Sequence, residues 1–341
     1  MIQAAIVGLG WWGRTLVESL AGGSDAMRFV AGTTRTVTAD VEAFARQHGL
    51  KLAASYEALL ADPGIDAVVL ATPPSGHRAQ VIAAAQAGKH VFCEKPFTLT
   101  KRDAEAAVDA VRKARVTLGL GYNRRFHPEM AKLRERIRAG GLGTLMHVEC
   151  TMTVPNALFL KPSAWRATRA EAPCGGLAPL GVHAIDGMID LCGEIEQLYC
   201  QSFRRAVELE MDDTTSALFR MKSGVSGYLG TLMATGPLFT FQVFGSRGCV
   251  RLEGMTHVAG ASSEERRTRL FGACKYQPVK GEAETWEAGK LDISRACFEA
   301  FARAAAGGPA FPITHEEMVH GAAVTEAVVR SAASGRVERV G

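Results

Sequence analysis

Ala4-Ala5-Ile6-Val7-Gly8-Leu9-Gly10-Trp11-Trp12-Gly13 is the stretch that decides the fold. A short apolar run feeds directly into Gly-x-Gly-x-x-Gly, and Arg14 to Ala21 then places apolar residues at helical spacing. Between a strand and a helix this pattern reads as a dinucleotide fingerprint, because the glycines allow a tight turn and let backbone N–H groups approach a pyrophosphate at the helix N-terminus. Gly8, Gly10 and Gly13 are therefore cofactor-binding candidates, with a ligand-free glycine turn as the plainer alternative. Trp11 and Trp12 read as loop residues, placed either to cover the cofactor or to pack on the next loop.

The alternation of short strands and helices continues to about residue 125. Strands are expected at Ala4–Val7, Arg28–Thr33, Leu52–Ala53, Asp66–Thr72, His90–Glu94 and Val116–Gly121, with helices at 14–21, 39–48, 55–60, 78–87 and 100–114. Gly49, Asp62-Pro63-Gly64 and Gly88 supply the breaks. Asp66 to Thr72 is almost continuously apolar, as a strand buried on both faces must be. This order predicts an α/β fold, a Rossmann-type doubly wound parallel sheet whose strand carboxyl ends gather loops 8–13, 33–36, 71–77, 93–97 and 121–125 on one rim.

Beyond residue 125 the texture changes. A helix at 127–139 and the turn Gly140-Gly141-Leu142-Gly143 precede β-branched and aromatic runs at 146–154, 195–205, 214–221, 225–232, 238–244 and 249–252. Hairpin-like turns such as Lys222-Ser223-Gly224 and Gly245-Ser246-Arg247-Gly248 join them. Helices at 180–192, 294–306 and 315–333 would cover one face. The expectation is a dinucleotide-binding domain over 1–125 and a substrate-binding and oligomerisation domain over 126–341, α+β with a largely antiparallel sheet, whose C-terminal helix is free to pack back on the first domain.

Composition narrows the function classes. A chain of 341 residues makes two domains at roughly 150 residues each. With 39 basic against 35 acidic residues and 47% hydrophobic content, it is neither disordered nor built to neutralise nucleic-acid phosphates. The densest charge run, Glu264 to Arg269, partly cancels and reads as a solvated surface loop. None of the eight cysteines falls in a C-x-x-C pair, so they read as reduced, apolar-packing thiols of a cytoplasmic protein. No run approaches the ~20 apolar residues of a membrane span, and Met1 to Gly10 reads as a first strand rather than a signal peptide. Neither nucleic acid nor membrane is an expected partner.

The second strand's end selects the dinucleotide. An NAD site places an acid there for the ribose hydroxyls, whereas a 2′-phosphate needs a cation and hydroxyl donors. The stretch here is Gly32-Thr33-Thr34-Arg35-Thr36, with no acid before Asp40. Thr34 and Arg35 therefore point to NADP, with NAD as the alternative if Arg35 is only a solvated loop residue.

Five motifs occur in order: Gly8 to Gly13, Ala71-Thr72-Pro73-Pro74-Ser75-Gly76-His77, Gly88 to Phe97 with Glu94-Lys95-Pro96, Gly121-Tyr122-Asn123-Arg124-Arg125-Phe126, and Gly175-Gly176-x-x-x-x-Gly181-Val182-His183-x-x-Asp186. Together they resemble the glucose–fructose oxidoreductase, inositol dehydrogenase and MocA-like family over nearly the whole chain. The resemblance implies that Lys95 lies beside the nicotinamide and the reacting hydroxyl. Burial lowers a lysine's proton affinity, and an ammonium beside a carbinol stabilises the developing alkoxide. It further implies that Glu94 orients the backbone or the lysine and that Pro96 fixes a turn whose Lys95–Pro96 bond tends to be cis. Thr72, Pro73 and His77 are cofactor candidates on the rim, and Asn123 and Arg124, on the rim loop after the sixth strand, are candidates for cofactor or active-site contact. For His77 the choice is between the ribose and its own helix start. One position departs from the family: relatives usually carry Asp four residues before the histidine, and here that position is Pro179. His183 remains a general acid/base by itself, with Asp186 either orienting it or capping and solvating its helix. Tyr122, Trp165 and Arg166, with Lys161 and Arg169, are the remaining substrate-binding candidates, an indole being suited to a sugar's apolar face and an arginine to hydroxyls or a carboxylate.

What the resemblance implies for function is an NADP-dependent oxidoreductase moving hydride between nicotinamide and a secondary alcohol or ketone of a sugar, cyclitol or related polyol. Lys95 and His183 are the catalytic pair in that reading. The rivals are a catalytically silent NADP-binding sensor or scaffold, and a dehydrogenase of a carboxylated cyclic diol. A homodimer or homotetramer through the second sheet is expected, since helices on one side leave the other face open. His315-x-x-x-x-His320 imitates a zinc helix, but its histidines are five apart and diverge around a helix, so no metal is expected.

Overall fold

A computed structural model describes residues 1–254 and 262–341, without the side chains of Trp165, Ser263 and Arg266. The first eleven elements are β1 (Ile2–Val7), α1 (Trp11–Leu20), β2 (Met27–Thr33), α2 (Ala39–Gln47), β3 (Lys51–Leu52), α3 (Tyr56–Ala61), β4 (Ala67–Leu70), α4 (Pro74–Gln86), β5 (His90–Cys93), α5 (Lys101–Ala114) and β6 (Leu118–Leu120). Their six strands form one sheet in the order β3-β2-β1-β4-β5-β6, every pair parallel. Ala4, Ala5 and Ile6 of β1 and all four residues of β4 have no exposure, so central strands covered on both faces need continuous apolar runs. The helix starts are chemically marked: Thr38, Ser55 and Thr100 each accept the third residue's N–H as N-caps. The order reverses between β1 and β4, which makes the carboxyl ends there the natural crevice of the sheet.

The second group comprises α6 (Pro128–Arg138), β7 (Leu145–Thr153), α7 (Gly181–Cys192), β8 (Ile195–Phe203), β9 (Thr214–Met221), β10 (Ser226–Leu232), β11 (Leu238–Gly245), β12 (Gly248–Gly254), α8 (Ser263–Thr268), β13 (Phe271–Pro278) and β14 (Glu284–Glu287). The chain then runs through α9 (Ile293–Ala305), α10 (His315–Ser334) and β15 (Glu338–Arg339). Nine strands build one sheet, β14-β13-β12-β11-β7-β10-β9-β8-β15, antiparallel except for the β7–β10 pair. Its inward row alternates strictly: Val148, Cys150 and Met152 of β7 are fully buried while the intervening His147, Glu149 and Thr151 retain exposure.

Two units emerge, one of residues 1–123 with 292–319 and the other of 124–291 with 320–341. The chain therefore passes between them three times, where the sequence suggests a single break near 125. In the first unit α9 lays Phe298 and Phe301 against Phe92 of β5, with ring centroids 4.6 and 5.5 Å away. Both rings have no exposure; burial of each stabilises that packing by roughly 1.5–3 kcal/mol. The charge run at 264–269 is not the expected loop. Ser262 and Glu265 form a reciprocal capping box that nucleates α8.

Candidate functional site

Gly8 turns the chain after β1 with φ of +101°, and its N–H donates to the Thr33 carbonyl at 2.8 Å. A Cβ on Gly8 would lie 2.6 Å from the Ala71 carbonyl oxygen, and one on Gly13 would run into the Gly8 carbonyl. Strand, turn and helix close on one another only without side chains. At Gly10 the opposite holds, since a Cβ there meets nothing within 4 Å. Gly10 is the extended N-cap of α1, and no side chain caps the helix. Open space over an uncapped helix N-terminus suits an anionic pyrophosphate, so these residues fit the dinucleotide implied by the fingerprint. Trp11 and Trp12 are not loop residues. The extended Gly10 starts the helix at Trp11 rather than Arg14, and the two indoles stand 5.5 Å apart on its first turn, with Trp11 exposed.

At the end of β2, Thr33 is buried and its hydroxyl donates to the Ala53 carbonyl at 3.1 Å, while Thr34 is half-buried and Arg35 exposed. No carboxylate pairs with Arg35 among the described residues. The nearest downstream acid, Asp40, is occupied by Arg14, Nη1 to Oδ2 at 2.7 Å. Arg14 also donates from Nε to the Leu9 carbonyl at 3.1 Å and lies over the Phe44 ring. The sequence reading missed this clamp between the glycine turn and α2, whose only signal was a cation one turn beyond Gly10.

After β4, Pro73 is the N-cap of α4, and the Thr72 hydroxyl donates to Gln80 Oε1 at 2.5 Å. His77 corrects an expectation. Its ring has no exposure, with Nε2 at 2.9 Å from the Thr72 carbonyl and Nδ1 at 2.9 and 3.1 Å from the Pro96 and Phe97 carbonyls. The imidazole thus ties the loop after β4 to the loop after β5 instead of facing a ribose. On that second loop Glu94 is buried, the Lys95–Pro96 bond is cis, and the Lys95 N–H donates to Glu94 Oε2 at 3.2 Å. Lys95 itself is half-buried. Tyr122 and Asn123 are buried beyond β6, and Asn123 Nδ2 donates to Ser294 Oγ at 3.1 Å. The first unit therefore gathers Gly8, Gly10, Gly13, Thr34, Arg35, Thr72, Pro73, Glu94 and Lys95 at the carboxyl ends of its parallel strands.

In the second unit His183 is buried on the first turn of α7. Asp186, one turn on, neither caps nor solvates that helix. It receives both Arg125 Nη2 at 2.6 Å and Nε at 3.2 Å, in a pair buried on both sides. Arg134 holds Asp190 on the next turn, with Nε 3.0 Å from both carboxylate oxygens. Arg125 and Arg134 are residues that sequence reasoning overlooked, because their partners lie 61 and 56 positions away. Arg124, expected on the cofactor rim, belongs to this unit, with Nη1 3.0 Å from Met152 Sδ and its guanidinium 4.7 Å over the Phe239 ring. Arg169 is engaged by Asp212 at 2.9 Å, and Lys161 and Arg166 are exposed. Trp165 opens the short 3-10 turn Trp165–Ala167, and its side chain lies outside the described residues. The zinc-like histidines serve separate partners: His315 Nδ1 accepts from Arg112 Nε at 3.2 Å, and His320 Nε2 accepts the Ile195 N–H at 3.0 Å.

A family model described as "Oxidoreductase family, NAD-binding Rossmann fold" matches residues 2–122, and another described as "GFO/IDH/MocA C-terminal domain" matches residues 130–251. The chain belongs to the GFO/IDH/MocA oxidoreductase family. It is similar to the 1,5-anhydro-D-fructose reductase of Ensifer adhaerens, 37% identical over 147 residues that cover 42% of this chain and 43% of the relative. It is also similar to the myo-inositol 2-dehydrogenase of Thermotoga maritima, 29% identical over 229 residues, 62% of this chain and 63% of the relative. The chain spans about half the length of the curated relatives it matches. The fold is shared with the aldose-aldose oxidoreductase of Caulobacter crescentus, with a TM-score of 0.84 at 23% identity over 99% of both chains. In this GFO/IDH/MocA chain Pro179 lies in the turn ahead of α7, between the 3-10 turn Gly175–Leu177 and the helix cap Leu180. A proline ring supplies no N–H to extend a helix backwards from there.

Proposed function

We propose that this protein is an NADP-preferring oxidoreductase that transfers hydride between the nicotinamide and a secondary alcohol or ketone of a sugar, cyclitol or related polyol. The observation that carries the reading is the half-buried Lys95, held on the turn after β5 of the same parallel sheet whose β1 end carries the open Gly10 cradle. When bound, the nicotinamide supplies the acceptor or donor of two electrons and a hydrogen. The backbone of Gly10 to Gly13 holds the pyrophosphate. The Thr34 hydroxyl and the Arg35 guanidinium take the adenosine 2′-phosphate, a role supported by the absence of a carboxylate on Arg35 among the described residues and by the engagement of Asp40 with Arg14. Lys95 Nζ stabilises the alkoxide as the carbinol carbon gives up its hydride, and His183 takes the hydroxyl proton. In the reductive direction both steps reverse.

Relatives named for 1,5-anhydro-D-fructose, myo-inositol and levoglucosan support a polyhydroxy substrate. A second copy of the chain is assigned to the uncovered face of the nine-stranded sheet, where Leu218 and Phe203 stand half-exposed. No helix among the described residues is long and apolar enough to cross a membrane, and eight cysteines outside any disulfide support a cytoplasmic location. The test is reduction of NADP+ and NAD+ by the purified protein across cyclitols, aldoses and anhydro sugars. Turnover with NADP+ is expected, and tight dinucleotide binding without turnover of any of them would favour a sensor.

A further inference from the structure

Three arginines of the second unit are largely withdrawn from water: Arg124, Arg125 and Arg134. Two are neutralised, Arg125 by Asp186 and Arg134 by Asp190. No carboxylate pairs with Arg124 among the described residues. Its charged end touches the Met152 sulfur and the face of Phe239. The enclosure is tight enough for burial to pull the guanidinium down to about 10, and the one titratable neighbour opposing that is the Cys150 thiol, itself pushed up by burial to about 12. Desolvating a cation without a counter-ion is costly, so a guanidinium kept in this state marks a place where an anion is received.

The surroundings narrow the anion. Met152 on β7 is flanked in register by Thr231 of β10 and Phe239 of β11, all three essentially without exposure. Thr231 is the residue under the segment that leads into α7: a Cβ on Gly176 would lie 2.7 Å from its hydroxyl, and one on Gly181 3.5 Å from its methyl. Arg124 and the approach to His183 therefore stand over adjacent strands of one row. Stacking on Phe239 leaves the edge of the guanidinium as the donor fork, the geometry that matches a planar carboxylate. One uncompensated charge balances a monoanion. The two other enclosed arginines of this unit already have acids, so a phosphate dianion here would go half-neutralised.

Resting on the oxidoreductase reading above, we infer that Arg124 is a specificity-determining residue that receives the carboxylate of a polyhydroxy acid, and that the substrate class is an aldonate or uronate rather than a neutral polyol. The test is calorimetric binding to the full-length protein, with and without NADP+, of D-gluconate against D-glucitol and of D-glucuronate against D-glucose. The acids are expected to bind at least tenfold more tightly. Arg124→Met should bring the ratio near one and Arg124→Lys should keep part of it. Equal binding of acid and neutral partner by the wild type, or a ratio preserved in Arg124→Met, overturns the inference. Should the variants fail to fold, competition by acetate against D-gluconate on the wild type decides: displacement supports the carboxylate site, and its absence overturns it. Binding is read without turnover. An Arg124-dependent acid preference in a protein that reduces no dinucleotide would sink the oxidoreductase reading and keep this one, whereas turnover of polyols without acid preference does the reverse.

Discussion

Arg125 grips Asp186 through two nitrogens, at 2.6 and 3.2 Å, with both side chains 4% exposed. The pair fixes α7, the helix that carries His183, to the residue following Arg124. Asp186→Ala would take the close carboxylate from a buried guanidinium that still faces Asp190 at 3.6 Å, and losing one partner of such a pair costs up to about 3–5 kcal/mol. Urea unfolding at neutral pH should show that loss. A change below about 1 kcal/mol would mean that the pair is effectively solvated.

His77 makes a separate prediction within the first unit. Removing the ring in His77→Ala leaves the carbonyls of Thr72, Pro96 and Phe97 to seek other donors. An expected loss of about 1–3 kcal/mol would be read by thermal unfolding. Because both joined loops carry residues assigned to the cofactor or the reaction, weaker NADPH binding should accompany it. Unaltered stability and affinity would contradict the bridging role.

Acid sensitivity should trace in part to His127. Its Nδ1 accepts the Glu129 N–H at 3.2 Å, the ring is fully buried, and burial lowers its pKa from 6.5 to about 4. Between those values the unfolded chain binds the proton that the folded chain refuses. This contribution to stability is thus complete above pH ~6.5 and is lost as pH falls toward ~4, by an amount on the order of 2–3 kcal/mol. His127→Asn, which can still cap α6, should flatten that segment of a stability-against-pH curve. A slope identical to the wild type would assign it elsewhere.

Arg35 is the cofactor test. In Arg35→Ala the ratio of NADPH to NADH affinity should fall at least tenfold, about 1.4 kcal/mol, in fluorescence titrations. An unchanged ratio would remove Arg35 from the 2′-phosphate and return the choice of dinucleotide to residues not yet identified.

The legible parts of this chain were those written by local periodicity. Continuous apolar runs such as Ala67–Leu70 and the glycines at 8, 10 and 13 specify the parallel sheet and its cradle without knowledge of any partner. The edge strands β14 and β15 escaped because edges keep polar, exposed residues and weaken the period-two signal, as in Glu284–Glu287, and β13, next to β14, likewise keeps few buried residues. Helix α8 hid in a charge run although Ser262 and Glu265 spell a capping box. Motif position singles out Lys95 and His183 as candidates, but partnership decides what neighbouring residues do. His77 reads as a contact of the ribose or of its own helix start until β4 and β5 pair and bring Pro96 to it, and Asp186 reads as an orienter of His183 or a capping, solvated helix acid until Arg125 arrives from 61 residues away. Consecutive arginines at 124 and 125 look alike in sequence, yet among the described residues Arg125 has a counter-ion and Arg124 does not.

The measurement that bears most directly on the proposed chemistry is steady-state turnover of Lys95→Ala beside its NADPH affinity, with the best polyhydroxy substrate of the wild type. Lys95 assigned to the alkoxide predicts a fall in kcat of about 10²–10⁴-fold with NADPH affinity within about threefold of the wild type, since the phosphates and ribose are held elsewhere. A kcat near the wild-type value would contradict it.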